Sequence, residues 1–168
     1  MQLKQIDKAR YSTHFKWVFV GVILLMLGVS LSVSTLLIQL FTDGQGSHLV
    51  LNVVGVVVAA LVVGGVFRRY RKDAFLYEVM YVWDLKQMLN RIYRKQRVLK
   101  AAMAEGDRRA MVIMNFSYQG SKQLYELDNN TITMEELDKA IAELATLQQQ
   151  YAVTLSLDEF DVALLDAY

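Results

Sequence analysis

The two histidines are the side chains best suited to metal binding or proton transfer in this chain. His14 precedes a long apolar segment and His48 follows it. If that segment crosses a membrane, the two imidazoles lie on opposite sides and cannot share a metal ion. His48 and Asp43 could contribute two cation ligands from one glycine-containing loop. Two ligands are too few for a metal site, and a solvated polar loop is the simpler interpretation.

Most other catalytic chemistry lacks its residues. The chain has no cysteine, which excludes thiolate nucleophiles, zinc ribbons and iron–sulfur clusters. The sequence contains no glycine-rich phosphate loop followed by Lys and Ser or Thr, and no serine or aspartate in a recognisable catalytic setting. We therefore predict no cofactor and no enzyme activity.

Two long apolar segments make up most of the chain between His14 and Arg68. The hydrophobic fraction is 54%, above the roughly 45–50% of soluble domains, and the excess lies before Arg68. Residues 17–42 carry no charge, and residues 49–67 contain one polar residue, Asn52. About 20 such residues cross a bilayer. We predict two transmembrane helices; the alternatives are a cleaved signal peptide for the first and a buried core helix for the second.

Basic residues mark the predicted membrane boundaries, whereas the connection between the apolar segments has neither lysine nor arginine. This asymmetry places both termini in the cytoplasm. The predicted order is a cytoplasmic segment (1–16), a first span (17–42), an outer loop (43–48), a second span (49–67) and a cytoplasmic helical domain (68–168). The boundary residues are Lys16, Arg68, Arg69, Arg71 and Lys72.

Small residues recur every four positions in both predicted spans, a spacing that lets helix backbones approach closely. Packing of the two spans against each other is the simpler interpretation, and an oligomer interface or a pore lining is the alternative. Neither span contains an ionisable residue that would mark a proton path. Interfacial solvation or a hydrogen bond between the spans would satisfy Gln39 and Asn52. The small pairs are Gly28 with Ser32, Gly55 with Ala59, and Ala60 with Gly64.

The remainder of the chain predicts a helical bundle. Apolar residues at three- and four-residue spacing, among them Leu85, Ile92 and Leu99, indicate about thirty helical residues after Lys72. The absence of proline leaves open a continuous helix from the second span. Capping-box patterns begin two later helices, Thr133 with Glu136 and Ser156 with Glu159. The predicted fold is an all-α membrane protein, a two-helix transmembrane hairpin followed by a cytoplasmic three- to four-helix bundle. Gly106 and Asp107 predict a helix stop followed by an N-cap, and the later helices span residues 107–126, 134–151 and 157–166.

Aromatic and basic residues are concentrated just after the second apolar segment. Packing is the simpler explanation for the aromatic residues, and a protein-docking surface is the functional alternative. The basic residues favour anionic lipid headgroups or the acidic C-terminal segment over nucleic acid. The candidate partner surface comprises Tyr77, Tyr81, Trp83, Arg91, Arg94 and Lys95.

Three stretches carry a resemblance to a known family: the loop region GSHLVLNVVG, YVWDLKQMLNRIYRK (residues 81–95) and NFSYQGSKQLYELDNNTIT (residues 115–133). With the order of basic N-terminus, span, loop and span, the chain resembles an uncharacterised family of two-span inner-membrane proteins from gammaproteobacteria, a domain of unknown function. The resemblance implies a bacterial inner-membrane location and supplies no catalytic residues.

These features predict a non-enzymatic inner-membrane scaffold or accessory subunit that anchors a cytoplasmic interaction domain. The expected partners are anionic lipid headgroups and either a second copy of the chain or another inner-membrane or cytoplasmic protein, without nucleic acid. The alternative is a homo-oligomeric channel or transport subunit with pore-lining helices, in which Asp43 would form an outer ring.

Overall fold

The computed structural model describes residues 1–43, 46–130 and 132–168. Residues 44 and 45, in the predicted outer loop, and residue 131, in one quoted stretch, lie outside them. Within the described ranges the chain is helical and has no strand, which confirms the all-α prediction. The helices are α1 (Lys8–Phe41), α2 (Leu49–Tyr70), α3 (Tyr77–Arg94), α4 (Gln96–Ala104), α5 (Arg108–Leu127) and α6 (Met134–Gln150), followed by two short 3₁₀ helices, Leu157–Glu159 and Val162–Ala167.

The contacts divide the chain into two compact units. We call Ala9–Met80 the apolar unit and Met1–Lys8 together with Tyr81–Tyr168 the helical unit. The division falls inside α3. It reflects contacts and not depth in a bilayer, so the membrane boundaries predicted from the sequence stay a prediction.

Helices α1 and α2 form most of the apolar unit. They contain 34 and 22 residues, or about 50 and 33 Å of helix, and each is long enough for a hydrocarbon core of about 30 Å. Asn52 accepts a hydrogen bond from Ser34, and Gly55 lies against Ser30. Because the residue number rises along α2 as it falls along α1 at these contacts, the two helices are antiparallel.

The second apolar helix does not continue into the next one, which resolves the alternative that the sequence left open. Helix α2 ends at Tyr70 and α3 begins at Tyr77. Between them the Asp73 carboxylate accepts a hydrogen bond from the Phe75 amide at 2.8 Å, a local turn that competes with helix.

The prediction of one uninterrupted helix of about thirty residues after Lys72 is also wrong, because Lys95 separates α3 from α4. Its amide bonds to the Ile92 carbonyl at 2.9 Å, a tighter turn than an α-helix makes. The Lys95 ammonium donates to the Leu165 carbonyl at 2.7 Å. The C-terminal segment thus bonds to the residue at which the helix is interrupted.

Helix α5 is the centre of the helical unit. Helices α4 and α6 and both 3₁₀ helices contact it, and most of its apolar side chains are buried because it has neighbours on several sides. The sequence periodicity predicted much of this core correctly. The largest fully buried side chains are Leu85, Ile92, Leu99, Met111, Ile113, Met114, Phe116, Leu144 and Leu165.

The predicted fourth helix is wrong. This segment instead contains the two short 3₁₀ helices. Ser156 and Asp161 each accept a hydrogen bond from an amide two residues later, and each of these local bonds begins a new turn in place of a continuous α-helix. The Phe160 ring between them stacks on Phe116 with 3.9 Å between centroids. Although this segment is acidic and irregular, its Phe160 side chain is therefore part of the buried core.

The helix starts show one wrong and one correct capping prediction. Ser156 and Glu159 form the predicted reciprocal capping box. Thr133 does precede α6, but its side chain makes no capping bond, and its buried hydroxyl has no hydrogen-bond partner among the described residues.

Helix α5 starts at the predicted Gly-Asp turn. Gly106 has φ +88°, a conformation that glycine adopts at low cost. Asp107 accepts hydrogen bonds from the amides of Arg109 and Ala110. Its second carboxylate oxygen accepts the Tyr168 hydroxyl at 2.5 Å.

Candidate functional site

A groove of about 510 Å³ opens on the helical unit. Its apolar lining includes Leu89 of α3, Leu124 of α5 and Leu137 of α6. Because α4 and α6 each pack against α5, a channel remains over α5 between α6 and the α3–α4 pair. Its volume is within the range of about 300–1,000 Å³ that ligand sites occupy.

Charged groups of both signs line the groove. Lys86 and Lys100 lie on the α3–α4 wall and Glu136 on the α6 wall. Lys86 also forms an ion pair with Asp128 at 2.9 Å, with both partners partly exposed. The two walls thus differ in the sign of their charged groups.

Neutral polar groups complete the lining. Burial, and next the negative charge of Glu143, raise the pKa of the Tyr118 phenol above its ordinary value, so it remains a neutral hydroxyl at physiological pH. Ser117, Ser121 and the orphan hydroxyl of Thr133 are further lining groups. These groups could donate or accept hydrogen bonds to a bound molecule.

A second cluster surrounds Glu78 in the apolar unit. The Glu78 carboxylate is buried at 6% exposure and forms an ion pair with the Arg10 guanidinium at 2.9 Å. His14 Nδ1 lies 3.3 Å from the other carboxylate oxygen, and the imidazole stacks on Phe75 at 4.3 Å between centroids. Arg10 also donates to the Ala74 carbonyl. The cluster joins the start of α1 to the chain after α2.

Within the helical unit, the N-terminal segment forms hydrogen bonds with side chains of α3 and α5. The Lys4 amide donates to the Tyr81 hydroxyl at 2.9 Å, and the Gln123 amide donates to the Lys4 carbonyl at 2.5 Å. The Tyr81 hydroxyl in turn donates to Gln123 at 2.8 Å. These bonds agree with the assignment of Met1–Lys8 and Tyr81–Tyr168 to one compact unit.

The predicted helix-packing residues divide into two groups. Gly55 and Ala59 are buried, and a Cβ added at Gly55 would lie 2.7 Å from the Ser30 carbonyl oxygen, so this pair is at the α1–α2 contact. Among the described residues, and apart from the glycine's own helix backbone and chain neighbours, no atom lies within 4 Å of a Cβ added at Gly28 or Gly64. Ser32 and Ala60 are exposed as well.

The residues of the predicted partner surface differ in exposure. Tyr81 is buried at 7% exposure and hydrogen-bonded, and half-buried Lys95 bonds to Leu165. Trp83 is 59% exposed, and Arg91 and Arg94 are exposed. Tyr77 is 43% exposed and belongs to the apolar unit. The predicted boundary residues Lys16, Arg68, Arg69, Arg71 and Lys72 are all exposed.

Within residues 1–43, 46–130 and 132–168, no group of three or more acidic or histidine side chains could hold a metal ion. Asp43 is exposed just after α1. His48 precedes α2 without capping it through its side chain.

Sequence reasoning missed the cluster around Glu78. Arg10 and His14 precede Glu78 by 68 and 64 residues, so no local pattern connects them to it. The available signal was Arg10 and His14 on one helical face, together with a single acid, Glu78, in a basic and aromatic stretch.

Fold and site define a class: an all-helical protein with two helices long and apolar enough to span a membrane and a separate helical unit that bears an open groove. The chain belongs to the family described as protein of unknown function (DUF3087), which matches residues 1–165. No curated protein and no solved structure matches the chain.

Proposed function

We propose that this protein is a non-enzymatic scaffold or accessory subunit of the bacterial inner membrane, whose apolar helices anchor a cytoplasmic helical unit that binds another protein. One observation carries the proposal: in the most apolar 18-residue stretches of α1 and α2, only 6% and 11% of the residues are buried. Side chains such as Leu31 and Leu61 are 65% and 71% exposed. A core helix of a soluble fold would be covered by its own chain, whereas a bilayer would cover these side chains.

A cytoplasmic location of both termini is supported by two independent features. Exposed Arg68 and Arg69 lie in the last turn of α2, and lysine and arginine near span ends favour the cytoplasmic side. The bonds of Lys4 to Tyr81 and Gln123 support a location of the chain before α1 and of the helical unit on the same side of the membrane.

The groove supports the interaction role. Helix recognition commonly uses an apolar groove with charged edges, and here apolar side chains of three helices line a groove with lysines on one wall and Glu136 on the other. We propose an amphipathic helix of a partner protein as the occupant.

The test is photo-crosslinking in cells. A photoreactive amino acid replaces Tyr93, a groove residue that is 71% exposed, or exposed Ala142 as the matched control outside the lining. We expect one adduct from position 93 only, formed by a protein that also binds the purified full-length chain at a fixed ratio. No adduct at either position, or equal adducts at both, would contradict groove recognition.

The second candidate function is a homo-oligomeric channel or transport subunit. It is favoured by Gly28 and Gly64, which the α1–α2 contact leaves open and which could let helices of several copies approach closely. The mass of the full-length protein in nanodiscs separates the two functions. Three or more copies without a partner, together with ion conductance that Asp43→Ala reduces, would favour the channel.

A further inference from the structure

We infer that the outer face of α3 and α4 binds an anionic phospholipid surface through a stripe of residues that comprises Trp83, Arg91, Arg94, Arg97 and Val98. This inference rests on the proposed membrane anchoring and names a contact of the helical unit that the proposed function does not require.

The stripe follows from the buried residues on the opposite side. Leu85, Ile92 and Leu99 are fully buried at seven-residue spacing, so the turn at Lys95 leaves α3 and α4 with the same side toward the core. Positions 83, 91, 94 and 98 follow one another at spacings of eight, three and four residues, which places them together on the outer side.

The arginines of the stripe have no acidic partner among the described residues. Arg91, Arg94 and Arg97 are exposed, while the acidic segment pairs with other cations: Glu159 with Arg108 at 2.7 Å and Asp138 with Lys122 at 3.6 Å. The pairing with the acidic C-terminal segment that the sequence allowed is therefore absent at these three arginines.

Apolar groups flank the three charges. Trp83 is 59% exposed and Val98 is 52% exposed. A tryptophan beside several arginines is typical of a helix that lies at the headgroup level, where the indole enters the interface and the guanidinium groups bind phosphates. Nucleic acid would use the arginines but would leave Val98 exposed.

The tether also favours lipid. Ten residues separate the last residue of α2, Tyr70, from Tyr81 at the start of the helical unit. At about 3.5 Å per extended residue they reach at most about 40 Å. If α2 crosses a bilayer, the stripe meets headgroups at a high effective concentration.

Trp83 is the natural probe. The chain has two tryptophans, so Trp17→Phe leaves Trp83 as the single reporter in the full-length protein. The protein is reconstituted in nanodiscs of phosphatidylcholine alone or of equal parts phosphatidylcholine and phosphatidylglycerol, with brominated acyl chains that quench nearby indole fluorescence.

We expect stronger quenching of Trp83 in phosphatidylglycerol nanodiscs and its loss at high salt. Each arginine changed to glutamine lowers the ratio of docked to undocked protein about fivefold. The matched pair is Arg94→Gln/Arg97→Gln against Lys122→Gln/Lys139→Gln, which removes the same charge from cations that already have acidic partners.

Equal quenching in both nanodiscs, or equal effects of the two double variants, would overturn the inference. A response to duplex DNA in phosphatidylcholine nanodiscs, with none to phosphatidylglycerol, would assign the arginines to nucleic acid and overturn it as well. If the protein enters nanodiscs but shows no such lipid response, only the proposed lipid contact of the stripe is refuted. Protein that cannot be incorporated refutes the membrane anchoring and the stripe together.

Discussion

The apolar unit and the helical unit use their hydrophobic residues in opposite ways. In α1 and α2 many leucines and valines remain exposed, and apart from Tyr11 the buried residues are the small Ser34, Gly55 and Ala59. In the helical unit large side chains such as Phe116 and Leu144 are buried. The first pattern suits a solvent that is itself apolar, where close backbone packing holds helices together. The second is that of a water-soluble core.

The largest expected effect is in the core of the helical unit. Phe116→Ala removes a fully buried ring that stacks on Phe160, and we expect the free energy of unfolding to fall by about 3–5 kcal/mol. The measurement is urea unfolding of the full chain in mild detergent, followed by Trp83 fluorescence in the Trp17→Phe background.

The matched control is Leu31→Ala in α1, where the side chain is 65% exposed. It should leave the unfolding midpoint of the helical unit unchanged. A shift as large as that of Phe116→Ala would remove the distinction between the units.

The next effect is at the α1–α2 contact. Gly55→Ala places a Cβ 2.7 Å from the Ser30 carbonyl oxygen, and overpacking of this kind costs about 1–3 kcal/mol. Since the chain has no cysteine, Ser34→Cys with Asn52→Cys gives a single reporter disulfide at a contact of the two helices. We expect Gly55→Ala to slow its formation.

Gly64→Ala is the control, because the added Cβ has no neighbour within 4 Å outside its own helix backbone in the described part of the chain. Equal crosslinking rates for both glycine variants would mean that Gly55 is not at the helix contact.

A smaller effect is expected where α5 begins. Asp107→Ala removes the cap of α5 and the acceptor of the Tyr168 hydroxyl, at a cost of about 1–2 kcal/mol in the same unfolding assay. Asp107→Asn keeps a capping oxygen and should cost less than half as much. If the two variants were equally unstable, the charge would matter more than the cap.

The smallest effect is a pH dependence from Tyr168. Burial and the hydrogen bond to Asp107 raise the pKa of this phenol from 10.0 to about 12. Its raised pKa stabilises the folded state below pH 10, and this contribution is lost as the pH rises from about 10 to about 12.

Because Tyr168 is only partly buried, the contribution should be below about 1 kcal/mol. Unfolding at several pH values should show Tyr168→Phe less stable than the parent at pH 8, with the difference shrinking toward pH 12. A constant difference would contradict the assigned hydrogen bond.

The sequence predicted those parts of the molecule that local patterns determine. The apolar stripe that includes Leu85, Ile92 and Leu99 marked a core face that is buried, and the Gly-Asp turn marked the start of α5. Two uncharged segments predicted two long apolar helices.

Parts that depend on distant contacts could not be predicted. The Tyr81 hydroxyl is buried by bonds that involve residues 4 and 123. The C-terminal segment has a helix-like pattern, yet the Ser156 and Asp161 side chains accept hydrogen bonds from nearby amides and divide it into two 3₁₀ helices. The groove depends on how three helices pack, for which periodicity alone gives no distance.

The central claim is that α1 and α2 cross a membrane with both flanking segments in the cytoplasm. Single cysteines at Ser47, Gln2 and Ala142, in a chain with none of its own, can be labelled in intact bacteria with a membrane-impermeant maleimide. The account predicts labelling at position 47 before permeabilisation and at positions 2 and 142 only after it. Equal labelling of all three positions, or release of the protein from membranes by alkaline carbonate, would contradict it.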